Sequence, residues 1–222
     1  MAEKTPIHET IIRGIVNYGI APVFRGMDKI GLYSKLWHFV GKRATMTDIS
    51  RTVFSDYQAQ SHDIFVCTFS KSGTNWMLQI TQQIAHKGKS EFKHIHDIIP
   101  WPDSGPMDVI ALDDPAPLES SPTNLRVIKT HLPFQNVAYD PDAKYITVIR
   151  DPKDVFVSSY FFVKKNLAGE IMPSVDTWLK LYLSPYFPMG DWSEHTASYW
   201  AQRDKDNMML MSFRELKENS ES

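Results

Sequence analysis

Cysteine is almost missing from this chain. One thiol, Cys67, stands among 222 residues, which excludes an intramolecular disulfide. Long apolar runs are missing too: none approaches the roughly 20 residues that a membrane-spanning helix needs. The opening Met1-Ala2-Glu3-Lys4-Thr5-Pro6 has no basic stretch followed by an apolar core, so no targeting leader is read there. An excess of one charge is also lacking, with Lys and Arg totalling 24, Asp and Glu 26, and a net charge of −2. No global basic field therefore announces a nucleic acid or an anionic membrane as partner. Internal repeats and low-complexity tracts are absent. The length suits one domain over 1–222 with an ample core. A cytoplasmic protein that handles a small anionic molecule is expected, because the cations it does have are local.

What the chain does have is a small, hydroxyl-rich turn between an apolar run and a helical pattern. Ile64-Phe65-Val66-Cys67-Thr68-Phe69 is rich in β-branched and aromatic residues and reads as a buried strand. Ser70-Lys71-Ser72-Gly73-Thr74-Asn75-Trp76 follows. Trp76, Ile80 and Ile84 then recur at helical spacing up to Lys87-Gly88, a cation in the last turn and a stop residue. Such a turn presents backbone N–H groups at a helix N-terminus, which favours an anion, and Lys71 adds a full positive charge. The lysine precedes the glycine, whereas in the nucleotide-triphosphatase loop it follows the second glycine. An ordinary strand–turn–helix connection is the plain alternative.

Further cations arrive downstream. Leu125-Arg126-Val127-Ile128-Lys129-Thr130-His131-Leu132-Pro133 begins as a second strand, and a period of two would put Lys129 and His131 on one side. A third strand, Tyr145-Ile146-Thr147-Val148-Ile149, ends at Arg150-Asp151-Pro152-Lys153-Asp154. Pro152 suits the first position of a new helix with Asp151 as its cap, and that helix carries Ser158. In parallel α/β sheets ligands gather at the carboxyl ends of strands, where Lys71, Lys129, His131 and Arg150 all fall. The alternation of apolar runs with helical patterns predicts a three-layer α/β/α domain with a mainly parallel central sheet. Its strands are expected near 63–69, 125–129, 145–149 and 208–212.

On these residues the chain resembles a cytosolic-type sulfotransferase. The family's Lys-Ser-Gly-Thr-Thr-Trp loop appears as Lys71 to Trp76, with Asn75 for the second threonine. Its Lys-Thr-His segment appears as Lys129-Thr130-His131. Its 3′-phosphate segment appears as Arg150 and Lys153-Asp154-Val155-Phe156-Val157-Ser158. Gly190-Asp191-Trp192 and the stretch from Leu210 to Asn219 also look like family segments, and the resemblance covers roughly residues 25 to 219. It implies a P-loop-like sulfotransferase fold, with 1–60 as an irregular or helical N-terminal segment and 61–219 as a donor-binding core.

The resemblance also implies a chemistry. The donor would be 3′-phosphoadenosine 5′-phosphosulfate, no metal would be needed, and the acceptor would be a hydroxyl or amine of a small, lipophilic molecule. Lys71, with Ser72, Gly73, Thr74 and Asn75, would meet the charge on the leaving phosphate, and Trp76 would face adenine. Arg150 and Ser158 would hold the 3′-phosphate. His131 would be the general base and Lys129 would steady the transferring group. Trp101 and Phe162 align with positions that line the acceptor pocket. Phe213 stands where many members place a tyrosine near the adenine, and Ser70 stands where they usually have proline. Members normally continue through another third, with an Arg-Lys-Gly loop on the 3′-phosphate and a dimerisation motif, neither of which these 222 residues contain. A truncated form with weak binding and slow or no turnover is therefore expected, and the oligomeric state is left open.

Plainer readings stay open at this point. Lys71 also suits a solvated turn, Trp76 a core position, His131 a satisfied surface or core position and Ser158 a solvent-facing helix position. Trp101 and Phe162 also suit simple anchors of a loop and a helix. His94-Ile95-His96-Asp97 resembles a metal-ligand cluster, yet structural zinc sites bring more Cys and His at set spacings, so no metal is expected there. A nucleotide kinase or hydrolase, with Asp151 holding magnesium, and a non-catalytic binding protein are the rival functions. The span Ile11 to Val40 is apolar but interrupted by Arg13, Arg25, Asp28, Lys29 and Lys35. It reads as irregular helix over the sheet, or as a membrane-surface helix. The stretch 97–124, with Pro100, Pro102, Pro106, Pro115, Pro117 and Pro122, reads as one long loop of the kind that often serves as a lid.

Overall fold

The computed structural model describes residues 19–44, 52–105 and 109–218. The expectations placed on the chain before residue 19, on Pro106 and on Asn219 onward lie outside the described residues. In chain order the elements are helices α1 (Ala21–Lys29) and α2 (Leu32–Ala44), strand β1 (Asp63–Cys67), helices α3 (Thr74–Ala85) and α4 (Ala116–Glu119), then strands β2 (Arg126–Thr130) and β3 (Lys144–Ile149). Helices α5 (Pro152–Val163), α6 (Val175–Tyr182) and α7 (Trp192–Trp200), strand β4 (Met208–Ser212) and helix α8 (Phe213–Glu218) complete them. The chain forms two compact units, Met1–Thr45 with Phe156–Asp191 and Met46–Val155 with Trp192–Ser222.

The second unit is built on a four-stranded sheet in the order β2-β1-β3-β4, every pairing parallel. Its four strands stand where the apolar runs put them, and the α/β class with a mainly parallel sheet holds. All five residues of β1 are buried. Covered on both faces, a central parallel strand needs apolar side chains on both, which is why this run shows no polar alternation. Phe65 and Cys67 pack with Ile128, Tyr145, Met208 and Tyr199 of α7. Val66 packs with Val127, Val148, Leu78 of α3 and Leu216 of α8. Each such side chain withdrawn from water contributes about 1.5–3 kcal/mol.

Two boundaries differ from the expectation. β1 stops at Cys67 rather than 69, because Thr68 and Phe69 leave the ladder to build the turn. The Phe69 carbonyl accepts the Ser72 N–H at 3.1 Å, and the buried Thr68 and Thr74 hydroxyls share a 2.5 Å bond. α3 ends at Ala85, so Lys87 is not in its last turn. Lys87 (φ 53°) and Gly88 (φ 76°) are both left-handed and close the helix beyond it. α5 starts as its residues demand, with Pro152 first and the Asp151 carboxylate accepting the Lys153 N–H at 2.8 Å.

The amino-terminal edge of the sheet carries a buried ion pair. Asp63 and Arg126 sit opposite each other in the β1–β2 register, and Arg126 Nη2 lies 2.7 Å from Asp63 Oδ1. Asp63 Oδ2 accepts from the Tyr57 hydroxyl at 2.5 Å and the Gln60 N–H at 2.9 Å. Arg126 also donates to the Leu112 carbonyl at 3.1 Å and to the Tyr57 hydroxyl.

In the first unit, Asp28 of α1 accepts from the Thr177 hydroxyl (2.6 Å) and the Ser174 N–H (3.0 Å) at the start of α6. Ser174 itself caps α6. Trp178 is the hub: it meets Trp37 edge-on at 5.5 Å and donates from Nε1 to Ser159 Oγ at 3.0 Å. Among the described residues, no helix is long and apolar enough to cross a membrane.

Candidate functional site

The loop between β1 and α3 is wound by two left-handed residues, Lys71 (φ 68°) and Gly73 (φ 92°). A Cβ on Gly73 would lie 2.9 and 3.0 Å from two ring carbons of Phe213, so close approach as well as backbone conformation requires glycine there. Gly73→Ala is expected to destabilise the second unit by about 1–3 kcal/mol, seen as a lower denaturant midpoint. An unchanged midpoint would show that the loop and Phe213 relax freely.

Around this loop the polar groups are arranged for an anion. No side chain caps α3 and no acidic residue stands in its first turn, so first-turn N–H groups are left to another partner. Ser72 is fully buried, and its Oγ has no hydrogen-bond partner among the described residues. Arg150, just past β3, donates from Nη1 to the Lys71 carbonyl at 2.8 Å. Its guanidinium lies 4.3 Å over the Phe213 ring, and Trp76 meets Phe213 edge-on at 6.3 Å. Arg150 Nε is buried without a hydrogen bond among the described residues, 3.8 Å from the exposed Asp154 carboxylate. Burial, and then the Arg150 charge, push the Lys71 ammonium below its ordinary pKa. A buried hydroxyl, an unsatisfied guanidinium nitrogen and two neighbouring cations fit a phosphate-bearing ligand.

The end of β2 carries a second cluster. Lys129 is buried, its Nζ 3.2 Å from the centroid of the Trp101 ring and 3.2 Å from His96 Nε2. Its backbone N–H donates to the Pro100 carbonyl at 2.9 Å. The next outward N–H, that of His131, donates to Asp103 at 2.8 Å. His131 Nδ1 lies 2.6 Å from the Thr68 carbonyl oxygen. A carbonyl only accepts, so Nδ1 carries the ring proton and Nε2 presents the lone pair. Trp101 also stands edge-on to His131 at 5.4 Å.

The electrostatics follow from burial. Burial, against the helpful charge of Asp103 and with the opposing charge of Lys71, brings Lys129 down to about 7. Burial and then Lys129 push His131 down to about 3 and His96 down to about 4. His195 on α7, buried against Phe69 and Tyr199, is pushed down to about 3 by burial, and its Nε2 has no partner among the described residues. Burial raises the Asp103 carboxyl, with the His131 amide working the other way.

These three histidines make stability pH-dependent. Each ring takes a proton below its ordinary 6.5 in the unfolded chain but only near 3 to 4 in the folded one. Between those values the unfolded state binds more protons, so stability rises with pH and is lost as pH falls. Denaturant midpoints should drop steadily from pH 6.5 to 4. A flat profile across that range would contradict the burial of the rings.

The second unit thus gathers the Lys71–Trp76 loop, Trp101, Lys129, His131, Arg150 and Phe213. Ser158 and Phe162 belong to the first unit, on α5, Ser158 half-buried and Phe162 39% exposed. His94 and Asp97 cap a short turn, His94 Nδ1 accepting the His96 N–H (3.3 Å) and Asp97 accepting the His94 N–H (3.2 Å). That turn accounts for the cluster, and among the described residues no group of three or more His, Cys, Asp or Glu is placed to hold a metal. Sequence reasoning missed Asp103 and His195. Tyr199 lies four residues after His195 on the buried face of α7, a spacing that was legible; Asp103 in its proline-rich loop gave no signal.

Known proteins resemble the chain over most of its length. The sulfotransferase domain family matches residues 61–222. Sulfotransferase 2A6 of Rattus norvegicus is 30% identical over 173 residues, covering 77% of this chain and 59% of the relative. The 3-beta-hydroxysteroid sulfotransferase of Cavia porcellus is 30% identical over 197 residues, covering 84% and 66%. The chain thus spans less than two thirds of the length of these relatives. Among solved structures, a mouse sulfotransferase complexed with PAP superposes with a TM-score of 0.56 at 20% identity, covering 79% of this chain and 60% of that one. A putative steroid sulphotransferase of Arabidopsis thaliana does so with 0.53 at 23%, covering 78% and 63%. Both likenesses are of fold.

Proposed function

This chain belongs to the sulfotransferase family, and on that premise we propose that it moves a sulfuryl group, slowly in this 222-residue form, to a hydroxyl or amine of a small apolar acceptor. The observation that supports this best is the convergence of Lys71, Lys129, Arg150 and His131 at one edge of a parallel sheet. 3′-Phosphoadenosine 5′-phosphosulfate, when bound, supplies the sulfuryl group; the solved relative's PAP complex favours that donor class. Lys71 and the first-turn N–H groups of α3 offset negative charge on the leaving phosphate side, where preorganised donors lower a barrier most. Ser72, Thr74, Asn75 and Arg150 hold phosphate oxygens, and Trp76 with Phe213 offers apolar faces to the base. His131 Nε2 takes the acceptor proton. The Lys129 ammonium steadies the group in transfer. Trp101, against both Lys129 and His131, favours an apolar body on the acceptor, and the hydroxysteroid named for the guinea-pig relative is the first acceptor to try. The assignments of Ser158 to the 3′-phosphate and Phe162 to the acceptor rest on the resemblance alone.

Lys71→Ala tests the donor side. It should weaken adenosine 3′,5′-bisphosphate binding and turnover by at least tenfold each, since a charge-assisted bond contributes about 1.5–3 kcal/mol. Unchanged affinity by calorimetry would remove Lys71 from the phosphate site. Turnover that requires magnesium would favour the kinase reading instead.

A further inference from the structure

The segment 94–103 does two things to β2. It fixes the main chain, through Pro100 on the Lys129 N–H and Asp103 on the His131 N–H. It also reaches the Lys129 side chain, through His96 Nε2 and the Trp101 ring, each 3.2 Å from Nζ. An ammonium has donors and no lone pair, so against a charged Lys129 His96 accepts through Nε2 and keeps its proton on Nδ1. The Trp101 face attracts the same cation from another side. A four-carbon lysine stem is otherwise free to rotate, and an indole face alone leaves its direction loose. A lone pair does not.

We propose that His96 is a positioning residue, which aims the Lys129 ammonium alongside His131 by accepting one of its three N–H bonds. The proposal rests on the reading that Lys129 steadies the transferring group. The groups that face Lys129 are His96 from the turn at 95–97, Trp101 and Asp103 from the following loop, Lys71 from the β1–α3 loop and His131 just past β2. Asp103 favours the charged amine, while burial and Lys71 oppose it. The His96 lone pair therefore acts where the ammonium is least well supported.

The test compares wild type with His96→Leu, which removes the lone pair at similar bulk, and His96→Gln, whose amide oxygen restores an acceptor. His96→Ala replaces the leucine variant if that one folds poorly. Turnover is measured with 3′-phosphoadenosine 5′-phosphosulfate and a hydroxysteroid. The Lys129 titration midpoint is read separately, from pH-dependent acylation followed by peptide mass spectrometry. His96→Leu should lower kcat tenfold or more with the donor KM and Tm unchanged, and should lower the Lys129 midpoint by about one unit. His96→Gln should recover most of both. A leucine variant with wild-type kcat and Lys129 midpoint would overturn the proposal, as would a glutamine variant no better than leucine. Absence of turnover in the wild-type chain would sink the transfer reading, and the His96 contact would then stand or fall on the Lys129 midpoint.

Discussion

On the proposed transfer reaction, His131→Ala is expected to cut whatever turnover the chain shows by about a hundred- to ten-thousand-fold, the range for a lost general base, while adenosine 3′,5′-bisphosphate binding stays nearly intact. The split follows from geometry. The 2.6 Å bond from Nδ1 to the Thr68 carbonyl fixes the ring and leaves Nε2 as the proton acceptor. With its pKa held near 3 by burial and by Lys129, the ring is neutral across the ordinary assay range. Such a ring is a competent acceptor at all those pH values, at the cost of weak basicity. The Lys71 loop and Arg150 are untouched by the substitution, so phosphate affinity has no reason to change. Near-normal turnover without His131 would remove the proposed base. Loss of bisphosphate binding in the same variant would show that the ring holds the loop rather than a proton.

The largest expected effect on folding lies at the opposite edge of the sheet. Arg126→Ala leaves the Asp63 carboxylate buried with its guanidinium gone, a loss of about 3–5 kcal/mol for a buried pair broken on one side. That is two to four powers of ten in the folding equilibrium, a large fraction of a typical domain's stability. Tyr57 and the Gln60 N–H still contact Asp63, so part of the carboxylate's demand stays met. Denaturant unfolding of Arg126→Ala and of the double variant Asp63→Leu with Arg126→Met separates burial of a charge from loss of packing. The single variant should be far less stable than the double. Equal losses in both would show that packing, not the ion pair, dominates at this edge.

Much of the fold was legible because β1 is buried on both faces and the start of α5 carries its own cap. Ile64 to Phe69 reads as a strand from its unbroken apolar character, and Asp151-Pro152 reads as a helix start from its stereochemistry. The end of α3 was misread by two residues, because the left-handed Lys87 looks in sequence like a last-turn cation. At the site, Lys71, Lys129, His131 and Arg150 were singled out by their positions at or just past strand ends, a local signal. Asp103, His96 and His195 reach the cluster through long-range folding of a loop and a helix. His96 was noticed beside His94 for metal chemistry, when its partner is Lys129, 33 residues further along the chain. No local pattern encodes a contact of that kind.

The central claim is that the carboxyl edge of this sheet binds the phosphates of the sulfuryl donor through the Lys71 loop and Arg150. Calorimetric titration of the 222-residue chain with adenosine 3′,5′-bisphosphate, beside Lys71→Ala, tests it most directly. The wild-type chain should titrate to saturation with one site, and the variant should bind at least tenfold more weakly. No heat of binding in the wild type, or the same affinity in both chains, would contradict it.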